Sequence, residues 1–282
     1  MALSDAQIGL LELPAPGGAN HDAAVAGCPR RGGASRLMFP VATGIPLRYP
    51  PIATWALIAA NCVVFLFEVN LSPSELNAFL YSFALIPARY FDSGGFNAVM
   101  SPTDYLPLVS NMFLHGGWLH LIVNMWTLWL FGRVVEDQLG SGRYLAFYFA
   151  CGVLASATYA ALNPDSTVPA LGASGAVAGV LGCYMRLFPF SRIIVLVPIL
   201  FLPLFFEVPA IVFAGLWFLI QAFEAMAEWF TPFAGGTIAW WAHIGGFIAG
   251  VILAGMLRPP PRRHWPRDVD EGIPGFALSG TV

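Results

Sequence analysis

GASGAVAGVLG (residues 172–182) and WWAHIGGFIAG (residues 240–250) set a serine and a histidine inside two of the most apolar segments of the chain. Each belongs to a run close to the roughly 20 apolar residues that a helix needs to cross the hydrocarbon layer of a bilayer. A Ser and a His buried among lipid-facing helices are costly to keep without a use. Ser174 and His243 are therefore a candidate nucleophile and base within the membrane.

Composition agrees with the class. The 282 residues are 57% hydrophobic and only 10% charged, with a mean hydropathy of +0.70, whereas a soluble domain carries about 25% charged residues. This is the composition of a polytopic membrane protein. A net charge of -3, with all 13 basic residues Arg, argues against a nucleic-acid partner. Cys28, Cys62, Cys151 and Cys183 are scattered without metal-ligand spacing. They imply neither disulfides nor a metal site, and no cofactor motif is present.

Six apolar spans are expected, near residues 52–69, 113–135, 143–162, 172–188, 208–229 and 237–257, giving an all-α protein. The preceding residues 1–47 are rich in Gly, Ala and Pro, without periodicity or a secretory-signal pattern, and read as a disordered tail. Residues 48–257 form the six-helix domain, and 258–282 a second tail. The apolar stretch 193–206 (IIVLVPILFLPLFF) is short and contains Pro198 and Pro203, so it reads as interfacial or re-entrant. Arg30, Arg31, Arg36, Arg48, Arg133, Arg143, Arg186, Arg192, Arg258, Arg262, Arg263 and Arg267 all fall on one side of this arrangement, leaving Arg89 on the other. By the positive-inside rule both termini are expected to be cytoplasmic, and the protein is placed in a bacterial inner membrane.

This topology puts Ser174 at the outer start of the fourth span and His243 about seven residues into the sixth, roughly 10 Å down at 1.5 Å per residue. His120 and Asn124 reach a similar depth in the second span. Gly175, Gly179, Gly246 and Gly250 carry the four-residue spacing that lets membrane helices approach closely. Packing through those faces would bring Ser174 and His243 into hydrogen-bond reach, where a neutral imidazole can take the hydroxyl proton. With no Asp or Glu at the depth of His243, a dyad is expected rather than a triad. The developing oxyanion would find donors in the Ser174 backbone N–H, Asn124 and His120. Hydrolysis further requires a hydrated cavity open to the outer face.

HGGWLHLIVNMWTLWLFG (115–132), the GASG block with Ser174, AHIGGFIAG with His243, and VEDQLGSGRY (135–144) with Glu136 and Gly140 resemble, in order and spacing, the signature segments of rhomboid intramembrane serine proteases. The resemblance covers about residues 45–257. It implies the six-transmembrane-helix rhomboid fold, a Ser174/His243 dyad, and an oxyanion hole containing His120 and Asn124. It also implies transmembrane protein substrates, cleaved near their outer end within membrane lipid. Two departures are visible. Tyr105, Leu106 and Pro107 stand where many members carry a Trp-Arg pair, and Ala178 stands where some place a Tyr that stacks on the histidine. Orientation of His243 is then expected from other packing, with Trp240 or Trp241 as the neighbours at hand.

Other readings compete with this one. His115 is expected to be structural, at a span entrance within reach of water or loop backbone. A metal held by His115, His120 and His243 is disfavoured because His115 and His120, five apart, diverge on a helix. Glu224 and Glu228 read as interfacial. A small-solute transporter would show charged residues or helix breaks near the midplane and internal repeats, and the chain shows no repeat. A catalytically inactive rhomboid-like protein that binds transmembrane clients would lack Ser or His.

Overall fold

The structure, a computed structural model, describes residues 39–92, 95–96, 101–199, 202–230 and 239–257. The expectations for residues 1–38 and 258–282 lie outside the described residues. Each of the six expected spans contains helix: the helices are α1 (Ile52–Glu68), the small pair α2 (Pro73–Phe83) and α3 (Pro107–Ser110) between the first two spans, α4 (Trp118–Thr127), α5 (Arg133–Leu139), α6 (Ser141–Leu162), α7 (Ser174–Leu187), α8 (Ala210–Phe230) and α9 (Trp240–Met256). A π-helical turn over Leu128–Gly132 joins α4 to α5, so the second apolar segment is continuous from Trp118 to Leu139. That segment, Ser141–Leu162 and Ala210–Ala227 are long and apolar enough to cross a membrane, and α1 and α9 are shorter apolar helices. Leu119, Ile122, Val63, Leu219, Phe223 and Ile252 are exposed on the outward faces, as in a protein whose surround is lipid.

The middle of the fold is α7. Its residues from Gly175 to Tyr184 are all buried. This is possible because its glycines admit neighbouring backbones: a Cβ on Gly246 or Gly250 of α9 would overlap the carbonyl of Gly175 or Gly179, and one on Gly175 would come within 2.6 Å of the Ala155 Cβ on α6. The four-residue glycine spacing thus does what the sequence predicts, bringing α7 and α9 into backbone contact.

A second device ties α1, α5 and α6. Glu136, 2% exposed, accepts from the Ala53 N–H at 2.8 Å and the Ser141 hydroxyl at 2.6 Å on one oxygen, and from the Thr54 N–H and hydroxyl at 2.8 and 2.7 Å on the other. The first N–H groups of a helix have no intrahelical acceptor, and Glu136 supplies one to α1. Gly140, at φ 77°, makes the turn between α5 and α6 that lets Ser141 reach it.

The all-α expectation is corrected by strands. Besides the two-residue pair β2 (Phe91–Asp92) and β3 (Gly95–Phe96), a three-stranded antiparallel sheet is built from β1 (Phe39–Thr43), β4 (Arg192–Ile199) and β5 (Leu202–Pro209), in the order β1-β4-β5. Most of the 193–206 stretch thus lies in two paired strands, β4 and β5, where no strand was expected, and residues 39–43 are a strand within the stretch expected to be disordered. Ile193, Val195 and Val197 point inward and are buried, the two-residue period of a half-buried strand. The outward residues Ile194 and Leu196 are apolar too, which hides that period in the sequence. Pro198 is tolerated because β1 pairs only with Ile193–Leu196, and Pro203 because β5 is an edge strand. β1 is anchored by the Trp126 indole N–H, which donates to the Pro40 carbonyl at 2.8 Å.

Candidate active site

Three helix starts converge on one point. Ser174 is the first residue of α7, His243 lies in the first turn of α9, and His120 in the first turn of α4. His243 therefore sits closer to the end of its helix than the seven residues expected, because α9 begins at Trp240. The Ser174 Oγ lies 2.8 Å from His243 Nε2, the reach that proton transfer between them requires. The close α7–α9 contact holds this distance, through Gly175 next to Ser174 and Gly246 three residues after His243.

The segment before α7 is shaped for the same purpose. Gly172 has φ 128°, open to glycine alone, and a Cβ there would come within 2.8 Å of His120 Cε1 and Nε2 and 3.6 Å of the Ser174 Oγ. The bare α-carbon is what allows the His120 ring to lie beside the serine. Its N–H donates to the Asn111 carbonyl at 2.9 Å, and the Asn111 amide donates to the Ser156 hydroxyl at 3.0 Å and to the Pro107 carbonyl. The Ser174 loop is thereby fixed to α3 and α6. A small cavity of about 20 Å³ opens beside Ser174, lined among others by Asn111, Ser156, Tyr159, Gly172 and Ala242, enough for a water molecule.

The other expected residues take distinct places. Asn124 is buried and turns its amide nitrogen to the His120 carbonyl at 3.1 Å; among the described residues no hydrogen bond joins it to Ser174 or His243. His115 is 5% exposed, and its Nδ1 lies 3.3 Å from the Phe113 carbonyl, the loop backbone expected within its reach. Its N–H donates to Glu68 at 3.1 Å, and its ring packs against Phe65 and His120. No cluster of three or more His, Cys, Asp or Glu that could hold a metal occurs among the described residues. Glu224 is exposed, and the Glu228 side chain lies outside what is described.

The loop that departs from the Trp-Arg pattern has its own anchors. The Tyr90 hydroxyl donates to the Asp104 carbonyl at 2.9 Å, and the Arg89 guanidinium donates to the Tyr81 carbonyl at 2.7 Å, stacks on the Tyr81 ring and lies 4.0 Å from the Asp104 carboxylate. Burial pushes the Tyr90 phenol up to about 12, so it remains a donor at any working pH.

His243 is held by neighbours that the sequence reading only partly named. Trp240 meets the imidazole edge-on, its ring centroid 6.0 Å away, as one of the two expected tryptophans. Trp217 of α8 flanks it at the same distance, and the Gln221 Oε1 lies 2.6 Å from His243 Nδ1. Neither α8 residue was singled out. A signal existed: Gln221 lies eight residues from the end of the expected 208–229 span and His243 six residues into the 237–257 span, depths that agree to about 3 Å.

Comparison with known proteins bears on the whole arrangement. The family model described as Rhomboid domain matches residues 102–260. Rhomboid protein 1, mitochondrial, of Saccharomyces cerevisiae is 31% identical over 214 residues, 72% of this chain and 53% of that protein. Presenilin-associated rhomboid-like protein A, mitochondrial, of Danio rerio is 29% identical over 66% of this chain and 48% of its own length. Rhomboid protease GluP of Bacillus subtilis is 36% identical over 89 residues, 32% of this chain and 17% of its own. The chain spans about half the length of the first two relatives.

Proposed function

Since the chain belongs to the rhomboid family, we propose that it is an intramembrane serine endopeptidase that cleaves transmembrane segments of other membrane proteins. One observation carries this reading, the 2.8 Å approach of the Ser174 Oγ to His243 Nε2 in an otherwise apolar helix packing. His243 takes the hydroxyl proton as Ser174 attacks the scissile carbonyl, forming a tetrahedral intermediate and then an acyl-enzyme. The imidazolium returns the proton to the leaving amine. Water then attacks the ester, with His243 again as base, and releases the new carboxyl terminus. The oxyanion is met by the Ser174 backbone N–H at the start of α7 and by the His120 side chain, with Asn124 supporting His120 through its carbonyl.

The same reading takes all six apolar helices as crossings, with residues 48–257 as the protease domain. Both tails lie on the arginine-rich side, and the site opens at the opposite face. Relatives named from mitochondria match over 66–72% of the chain and one named from a bacterium over 32%; they lend no support to a bacterial inner membrane in particular. Reporters fused to the N-terminal tail and after Arg258 are expected on one side, and one near Asp165 on the other.

The test is incubation of the purified protein with a panel of transmembrane segments beside Ser174→Ala, together with labelling by a fluorophosphonate. Cleavage that Ser174→Ala loses, with labelling at Ser174 that folded His243→Ala loses, is the expected result. Undiminished labelling of folded His243→Ala would overturn the dyad. Capture of intact segments without cleavage would favour a client-binding role.

A further inference from the structure

An imidazole can accept the Ser174 proton at Nε2 only if its own proton is on Nδ1, and the group facing Nδ1 decides which tautomer holds. That group is the Gln221 side chain. It is 6% exposed, lies on α8 and places its Oε1 2.6 Å from Nδ1. An amide oxygen has no proton to give, so Nδ1–H must donate to it, and the Nε2 lone pair is left facing the Ser174 hydroxyl. Trp217, one helical turn before Gln221 on the same face of α8, closes the other approach to the ring.

Resting on the protease reading above, we propose that Gln221 is a positioning residue that makes this site a neutral relay of three groups, Gln221, His243 and Ser174, contributed by α8, α9 and α7. The amide fits its surroundings. A carboxylate there would bring the desolvation cost of a charge within the membrane, whereas a neutral oxygen selects the tautomer and fixes the ring plane without one. With Trp217 beside the ring, it orients the imidazole where Ala178 offers no aromatic partner. Ring orientation is thus supplied from α8 instead of α7.

The test compares Gln221→Met, which keeps length and removes the acceptor, with Gln221→Glu, which keeps the acceptor and can add charge. The full chain is used, with fluorophosphonate labelling of Ser174 followed against pH and folding checked by helical circular dichroism. His120, whose ring lies beside Ser174, and Glu224 on α8 are present in both variants and the parent alike, so a difference among them reports on position 221. Gln221→Met is expected to label about 10 to 100-fold more slowly, the scale of a small misplacement of a reacting group. A carboxylate beside the imidazole favours its protonated form, so the rising limb of Gln221→Glu should move to higher pH by about one unit or more. Either a folded Gln221→Met that labels at the parent rate or a Gln221→Glu limb that coincides with the parent's overturns the proposal, the latter even if Gln221→Met is slow. If one variant fails to fold, the other decides alone. No labelling of Ser174 in the parent, by contrast, would count against the protease reading itself.

Discussion

Two buried polar clusters sit toward opposite ends of the continuous α4–α5 segment, and they are built on different rules. At one end, both oxygens of Glu136 are each filled by two donors from α1 and α6. At the other, about 24 Å along the α4–α5 helix by rise per residue, Ser174, His243 and His120 are half-buried, and Ser174 lines a cavity. A buried acceptor with every lone pair used can only hold helices together, because any reaction would begin by breaking what stabilises it. The Ser174 hydroxyl makes a single bond to a base and faces space, so it can change partners. On the proposed protease reading, saturation against openness separates structure from chemistry, although both clusters consist of polar groups in apolar helices.

The difference is broken most completely by Ser174→Ala. Hydrolysis and probe labelling should fall to background while stability changes by less than about 1 kcal/mol, as for a small substitution beside an open space. Activity and chemical denaturation measured on one preparation would check both halves. Glu136→Ala should show the reverse. Leaving four donors without an acceptor is expected to destabilise by about 3–5 kcal/mol, read as a shifted denaturation midpoint, with activity lost only in proportion to the unfolded fraction. A folded, inactive Glu136→Ala protein would contradict the division.

Smaller changes sharpen it. His120→Ala should reduce turnover by roughly 10 to 1000-fold, the scale of losing an oxyanion donor, with KM little altered in steady-state cleavage. Asn124→Ala should cost less, about 10-fold, because its amide is spent on the His120 carbonyl and acts at one remove. Equal losses would place Asn124 in direct contact with the oxyanion. Deleting residues 1–37 should have the smallest effect, leaving cleavage per inserted molecule unchanged, since every group of the site lies beyond residue 50. Quantified membrane insertion alongside cleavage separates a loss of amount from a loss of rate.

Much of this was legible in the chain itself. The six apolar segments, Ser174 and His243 inside two of them, and the glycine spacing that allows α7 and α9 to touch are all local patterns, set by how many residues span a bilayer and which ones let backbones approach. His120 beside Ser174 was expected too, though not that a bare Gly172 at φ 128° makes room for it. The hairpin β4–β5 was hidden because its outward residues are as apolar as its inward ones, and pairing with β1, some 150 residues earlier in the chain, leaves no local trace. Gln221 was missed for a related reason. One amide in a long apolar helix has no meaning until the packing of α8 against α9 turns it toward Nδ1 of His243, and only tertiary contact determines which side chain a given helix face will meet.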